Sequence, residues 1–158
     1  MKIGVSGHRS RDGADWAWVR GAIDDIIAGA DVTSGISCLA PGADRVFADA
    51  VLERGCDLIV MAPTFPAGNG QSSVKGGTDF LAAASDVRAV HGATPDDAYL
   101  AAGKAVVDAS DFMIFVWDGG PSRGLGGTAD IVAYARSHRK DGVILDPIAR
   151  SKRDLNAF

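Results

Sequence analysis

Two hydrophobic patterns alternate along the chain. Short continuous apolar runs predict buried strands, and between them apolar residues recur at the three-to-four-residue spacing of an amphipathic helix. The strands are predicted at 2–6, 32–40, 58–61, 87–90, 112–117 and 142–145. The helices are predicted at 14–30, from the turn at 41–44 to Gly55, at 79–85, from Pro95 to Ala109 and at 128–139. Alternation of this kind predicts an α/β fold, a single domain with a mainly parallel sheet and helices on both faces.

Length and composition agree with one globular domain. The chain has 158 residues, 47% of them hydrophobic, and a formal net charge of -4. We expect residues 1–146 to form the domain and the polar residues 147–158 to be a loosely docked tail. Because Lys and Arg are scattered along the chain, we expect neither nucleic acid nor a membrane as partner. The absence of a signal-like or membrane-spanning run predicts a cytoplasmic protein.

The most informative stretch is the glycine-rich turn that joins the strand at 112–117 to the helix starting at Thr128. The first N–H groups of a helix have no partner within it, and glycine lets an anion approach the backbone. Gly126, Gly127 and Thr128 therefore predict a phosphate-binding loop. The alternative is a flexible connection without a ligand.

Polar residues follow the other predicted strands. Gly7, His8 and Arg9 follow the first strand, and Gly42, Asp44 and Arg45 follow the second. Since the carboxyl ends of parallel strands share one edge of a sheet, we expect these residues to lie close to the glycine turn. His8 and Arg9 can both donate to phosphate. The alternatives are a turn contact for this pair, helix capping for Asp44 and a solvated side chain for Arg45.

Three further expectations complete the sequence-based picture. Histidine occurs at positions 8, 91 and 138 alone, which gives no metal-ligand spacing, and we expect neither a metal nor a cofactor. Cys38 and Cys56 are expected to be reduced core residues. The polar loop at 64–77 is either a lid over the site or a loop with no role.

Four motifs together resemble the Rossmann-like SLOG superfamily: Gly4-Val5-Ser6-Gly7-His8-Arg9, Leu39-Ala40-Pro41-Gly42-Ala43-Asp44-Arg45, Trp117-Asp118-Gly119 and Gly126-Gly127-Thr128-Ala129-Asp130. That superfamily includes the Lonely-Guy phosphoribohydrolases, molybdenum-cofactor carrier-like proteins and DNA-processing protein A. The resemblance implies a nucleotide or nucleotide-derived ligand with its phosphate at residues 126–128. It also implies a homodimer or a higher homo-oligomer.

Within this resemblance we assign a role to each remaining candidate residue. His8, Arg9 and Arg45 would supply positive charge, and Asp44 and Asp118 would contact sugar hydroxyls. Trp117 would stack on the base, the alternative being a core tryptophan, while a turn-forming role is the alternative for Asp118.

The resemblance leaves the activity open. Lonely-Guy enzymes cleave the N-glycosidic bond of a nucleoside 5′-monophosphate and carry Pro-Gly-Gly-x-Gly-Thr-x-x-Glu. Matched on Gly127 and Thr128, this chain has Arg123 for the proline, Leu125 for a glycine and Ile131 for the glutamate. The catalytic acid would then be Asp44 or Asp130. Asp130 lies one residue before the position of the glutamate and is therefore turned by about 100 degrees around the helix. The alternative is a nucleotide sensor or ligand carrier that acts through a protein partner.

Overall fold

The computed structural model describes residues 1–66, 77–122, 124 and 126–157. The strands in these ranges are β1 (Lys2–Gly7), β2 (Ser34–Ser37), β3 (Asp57–Thr64), β4 (Asp86–His91), β5 (Phe112–Val116), β6 (Asp141–Asp146) and β7 (Ser151–Asp154). The helices are α1 (Trp16–Ala28), α2 (Ala43–Glu53), α3 (Thr78–Ala83), α4 (Pro95–Ala109) and α5 (Thr128–Ser137). The predicted lid at 64–77 lies outside the described residues except at its two ends, as do Arg123 and Leu125.

The strands form one sheet in the order β4-β3-β2-β1-β5-β6-β7. All neighbouring pairs from β4 to β6 are parallel, and β7 alone runs antiparallel to its neighbour β6. The predicted α/β Rossmann-like fold with a mainly parallel sheet is confirmed.

Helices cover both faces of the sheet because the strands present apolar side chains to each face in turn. On one face, Val19 and Ile23 of α1 and Phe47 of α2 pack against the sheet. On the other face, Val106 of α4 and Ile131 of α5 do so. In β5 the two core clusters alternate along the strand, which explains why its sequence is continuously apolar.

The C-terminal segment differs from the expected loose tail. Residues 151–154 form β7, and Leu155 is fully buried in the core beneath α5. The Leu155 N–H donates to the Gly142 carbonyl at 2.9 Å. The sequence did not reveal this strand because an exposed edge strand of Ser, Lys, Arg and Asp has no apolar alternation.

The order of the strands creates a switch point between β1 and β5. From β1 the chain builds outward through β2, β3 and β4, and then returns to place β5 on the other side of β1. The connections that leave β1 and β5 therefore diverge and open a crevice at their carboxyl ends, which is where ligands bind in open α/β sheets. No helix in the described parts of the chain is long and apolar enough to cross a membrane.

Candidate functional site

A cavity of about 430 Å³ opens at this switch point. Its floor comes from the end of β1, and its walls come from the connection after β1, the start of α4 and the β5–α5 connection. At the β2 side it is bounded by Cys38, Ala40 and Asp44. The cavity therefore runs from the N-terminus of α5 across the end of β1 to the start of α2.

The fold brings most of the predicted site residues to this cavity. Eight of them line it: Gly7, His8, Arg9, Asp44, Trp117, Gly126, Gly127 and Thr128. Four others are not part of its lining: Gly42, Arg45, Asp118 and Asp130. Their contacts, described below, show what each of these four does instead.

The N-terminus of α5 faces the cavity with two unengaged donors. Gly127 is the N-cap and gives no side-chain hydrogen bond to the helix. The N–H groups of Thr128 and Ala129 have no acceptor within the described part of the chain. The next N–H, that of Asp130, donates to Ser122 Oγ at 3.1 Å. Two donors at the positive end of a helix dipole thus remain directed at one side of the cavity.

Asp130 closes the glycine turn onto its own helix. Its Oδ2 accepts a hydrogen bond from the Gly126 N–H at 3.0 Å. Gly126 has φ +83°, and a Cβ there would lie 2.7 Å from the Leu100 backbone nitrogen of α4. Glycine at 126 is therefore required both by the backbone conformation and by the approach of α4. The Asp130 carboxylate holds this turn and does not line the cavity.

Arg9 lies across the cavity wall formed by α4. Its guanidinium carbon lies 4.5 Å from the centre of the Tyr99 ring, a cation–π contact. Tyr99 and Asp96 line the cavity, and neither was recognised as a site residue from the sequence. The order of strands and helices could have indicated both residues, because helices that follow parallel strands begin at the carboxyl edge of the sheet. The first turns of α4 therefore belong to the same edge as the glycine turn.

Gly42 shapes the site from outside the lining. It has φ +92°, and a Cβ there would overlap the carbonyl oxygen of Arg9. The next N–H, from Ala43, donates to the His8 carbonyl at 3.1 Å. The start of α2 is thus packed directly against the backbone of the connection that carries His8 and Arg9.

Asp44 is a buried carboxyl group at the β2 end of the cavity. It is 6% exposed, and its Oδ2 accepts from the Ala40 N–H at 3.2 Å. Burial raises the pKa of Asp44 to about 7, although the Ala40 N–H and Arg9 act to lower it. Burial and the Asp44 charge likewise raise the pKa of the Cys38 thiol. Arg45 turns to its own loop, where its Nε donates to the Leu39 carbonyl at 3.0 Å.

Asp118 lies behind the cavity lining. Burial by itself raises the pKa of its carboxyl, but the Gly120 N–H, Arg11 and His8 together bring that pKa below its ordinary value. Trp117 lines the cavity, and its indole N–H donates to the Gly120 carbonyl at 2.8 Å. Among the described residues, no group of three or more His, Cys, Asp or Glu is placed to hold a metal ion.

No family model and no curated protein matches this chain, whereas solved structures share its fold. DNA processing protein A from Streptococcus pneumoniae superposes with a TM-score of 0.67 at 18% identity, over 92% of this chain and 50% of that one. The corresponding Helicobacter pylori protein gives a TM-score of 0.66 at 13% identity, over 92% and 65%. The molybdenum cofactor carrier protein of Chlamydomonas reinhardtii gives 0.55 at 20% identity, over 94% and 79%.

TM1055, a LOG-family protein, gives a TM-score of 0.57 at 14% identity, over 89% of this chain and 71% of that one. All four structures belong to the SLOG superfamily. The chain has the fold of that superfamily, and the resemblance seen in the sequence is confirmed at the level of the fold. The chain spans half the length of the pneumococcal protein and 65% of the H. pylori protein.

The exclusion of nucleic acid as a partner was wrong. The H. pylori protein, which has the same fold, is described by its single-stranded DNA binding mode. The exclusion rested on a net charge of -4 and on scattered basic residues. Net charge does not report local charge: His8, Arg9 and Arg11 lie within four consecutive positions, and all three line the cavity.

Proposed function

We propose that the switch-point cavity binds a nucleotide or nucleotide-derived ligand, with its phosphate at the N-terminus of α5. The observation that carries this proposal is the pair of N–H groups, of Thr128 and Ala129, that lack an acceptor in the described structure and border the cavity. A phosphate oxygen satisfies such donors and is favoured by the helix dipole.

Arg9 supports the phosphate assignment with a full positive charge. It lines the cavity, and no carboxylate among the described residues forms an ion pair with it. Tyr99 holds the guanidinium from one side at 4.5 Å. An arginine held in this way keeps donors available for an anion and loses less conformational freedom when it binds.

The other end of the cavity suits the uncharged part of such a ligand. Asp44 provides carboxyl oxygens at the β2 side, where sugar hydroxyls would donate to them. Trp117 lines the cavity on the β5 side, where its ring is available to stack on a base. This arrangement is compatible with binding alone, as in a sensor or a carrier.

Hydrolysis of the N-glycosidic bond of a nucleoside 5′-monophosphate is the second candidate function, and one observation favours it. Asp44 is a cavity carboxyl with a pKa of about 7, which suits proton transfer near neutral pH. Asp130, the other candidate acid, uses its carboxylate to hold the Gly126 N–H. Our leading proposal is therefore binding, with turnover assigned to Asp44 if free base is released.

A ligand panel tests both functions together. The purified protein is incubated with nucleosides, nucleoside mono-, di- and triphosphates, NAD and a short single-stranded DNA, and thermal shift and released base are followed. The oligonucleotide is included because the H. pylori protein of this fold binds single-stranded DNA. A shift without free base supports a sensor or carrier, and a shift with free base supports hydrolysis.

Arg9→Ala makes the panel specific to the proposed site. We expect it to weaken binding of the monophosphate about tenfold and to leave nucleoside binding nearly unchanged, because it removes a charge-assisted contact to phosphate. Arg88→Ala is the matched control, since Arg88 is exposed on the distant edge strand β4. Equal losses for the monophosphate and the nucleoside, or equal losses in the two variants, would contradict the phosphate role of Arg9.

A further inference from the structure

One carboxylate ties together the two connections that diverge at the switch point. Arg11 Nε donates to Asp118 Oδ2 at 2.6 Å, and Nη2 of the same guanidinium contacts the same oxygen. The Gly120 N–H donates to Oδ1 at 2.9 Å. Arg11 and Asp118 are 107 positions apart in the chain, so this contact fixes the connection after β1 relative to the one after β5.

His8 is bound to Asp118 through one ring nitrogen with two neighbours. Its Nε2 lies 3.1 Å from the Asp118 backbone nitrogen and 3.2 Å from Asp118 Oδ1. An unprotonated Nε2 accepts from the N–H, whereas a protonated Nε2 donates to the carboxylate. Asp118 therefore offers the ring a partner in either protonation state and keeps it in the same place.

Asp118 lies outside the cavity lining, unlike the residues that it holds. His8 and Arg11 both line the cavity, and so do Arg9 and Ser10 between them, but Asp118 does not. Its side chain is only 13% exposed. Asp118 therefore makes no contact with a ligand in the cavity, and beyond the effect of its charge it acts through the connection that it holds.

We propose that Asp118 is a positioning residue that orients residues 8–11 toward a phosphate at the N-terminus of α5. This inference rests on the proposed function, because that phosphate is the group the donors of this segment would address. Asp118 also offsets the charge of Arg11, whereas Arg9 forms no ion pair with a carboxylate among the described residues and contacts the Tyr99 ring. This positioning role differs from the direct sugar contact that the sequence analysis expected for Asp118.

Asp118→Asn tests the inference, because the amide keeps the size of the side chain and an acceptor for Gly120 but loses the charge and the oxygen that accepts from Arg11. Asp86→Asn is the matched control: Asp86 accepts from Arg88 Nε at 2.8 Å in an exposed pair on β4. The first readout is the affinity for inorganic phosphate, followed by NMR at the amides of Thr128 and Ala129. The second readout is the pH titration of the His8 imidazole, assigned by comparison with His8→Gln among the three histidines of the chain.

We expect Asp118→Asn to weaken phosphate binding about tenfold, because the orientation that residues 8–11 lose outweighs the negative charge that is removed. We also expect the midpoint of the His8 titration to fall, because an opposite charge beside the ring is lost. Asp86→Asn should change neither readout. Asp118→Glu keeps the charge and should leave the midpoint of the His8 titration close to its wild-type value. Wild-type or tighter phosphate binding in Asp118→Asn, a wild-type His8 midpoint in that variant, or the same changes in Asp86→Asn would overturn the inference.

The two readouts separate this inference from the proposed function. If the wild-type protein binds neither phosphate nor any nucleotide of the panel, the proposed function fails, and the His8 titration then decides on Asp118 without any ligand. An unchanged midpoint in Asp118→Asn would show that the carboxylate does not hold the ring, whatever the affinity.

Discussion

Helices α2 and α5 begin in similar ways at the same edge of the sheet but have different surroundings. Each starts after a parallel strand, with a glycine N-cap that makes no side-chain hydrogen bond: Gly42 in α2 and Gly127 in α5. Each has an aspartate in its first turn, Asp44 or Asp130, whose carboxylate accepts from an N–H of the preceding loop. In sequence the two starts share a glycine followed by an aspartate in the first turn of a helix.

The backbone of the chain itself takes the first N–H donor of α2, whereas the first two N–H donors of α5 have no acceptor in the described structure. At α2 the His8 carbonyl takes the Ala43 N–H, and the Arg9 backbone packs against Gly42. At α5 the N–H groups of Thr128 and Ala129 border the cavity without an acceptor in the described structure. A glycine before a helix therefore indicates a ligand site only where no other part of the chain already occupies its donors.

The largest effect is expected from Gly42→Ala, which changes the N-cap of α2. The residue would be held at φ +92°, and its Cβ would overlap the Arg9 carbonyl oxygen. Backbone strain and overpacking together should lower the free energy of unfolding by about 5 kcal/mol, measured by urea denaturation. Gly55→Ala separates the two causes, since Gly55 has φ +75° with nothing within 4 Å of an added Cβ. Equal losses in the two variants would show that the contact with Arg9 is unimportant.

The second prediction concerns the buried acid of α2. Its pKa rises from 3.8 to about 7 on folding, so between these values the folded protein keeps a proton that the unfolded chain lacks. The free energy of unfolding should therefore fall as the pH rises from about 4 to about 7, by about 4 kcal/mol from this group. Asp44→Asn should remove this fall.

The measurement is the difference in unfolding free energy between Asp44→Asn and wild type across that pH range. Asp25→Asn, at an exposed position of α1, is the control and should follow wild type. The depressed pKa of Asp118 acts in the opposite sense, since its stabilisation is lost as the pH falls below its ordinary value. A difference between Asp44→Asn and wild type that does not change with pH would contradict the prediction.

The smallest effect is expected from Ala129→Asp, which gives α5 an acid at the second helical position, where α2 has Asp44. A carboxylate beside a bound phosphate should reduce anion affinity by about 2 kcal/mol, roughly thirtyfold. Stability should not suffer, because acids are favourable in the first turn. Isothermal titration with inorganic phosphate measures the loss.

Ala129→Asn is the matched control, since it has nearly the same shape without the charge. If the Asn and Asp variants lose affinity equally, shape rather than charge is responsible. Unchanged affinity in Ala129→Asp would place the anion elsewhere and make the two helix starts equivalent.

The fold could be predicted because strand and helix periodicities are local and strong. The run from Phe112 and the stripe through Val19 and Ile23 each indicated an element that the structure contains. Boundaries were less accurate: the predicted strand 32–40 is only Ser34–Ser37, because Leu39 has φ +57° and the chain turns there. Strand β7 was not predicted because its exposed polar residues pair at the edge of the sheet without packing against the core.

The site was only partly predictable, since side-chain direction depends on contacts between distant parts of the chain. Gly126 and Thr128 could be placed from the strand, turn and helix around them, because that pattern is continuous in sequence. Tyr99 could not, since its place beside Arg9 depends on how α4 packs across the sheet. Asp118 was identified, but its neighbour Arg11 is 107 positions away.

The antiparallel β7 covers an edge of the sheet that would otherwise be open to other chains. Strand β6 presents the backbone of Val143, Ile144 and Leu145, and an open edge of this apolar kind is a template for pairing with other chains. The exposed Lys152 and Arg153 on β7 cover that edge with charge, which opposes the addition of another strand. We therefore expect removal of residues 151–155 to expose the edge of β6 for pairing with other chains, and also to take Leu155 out of the core.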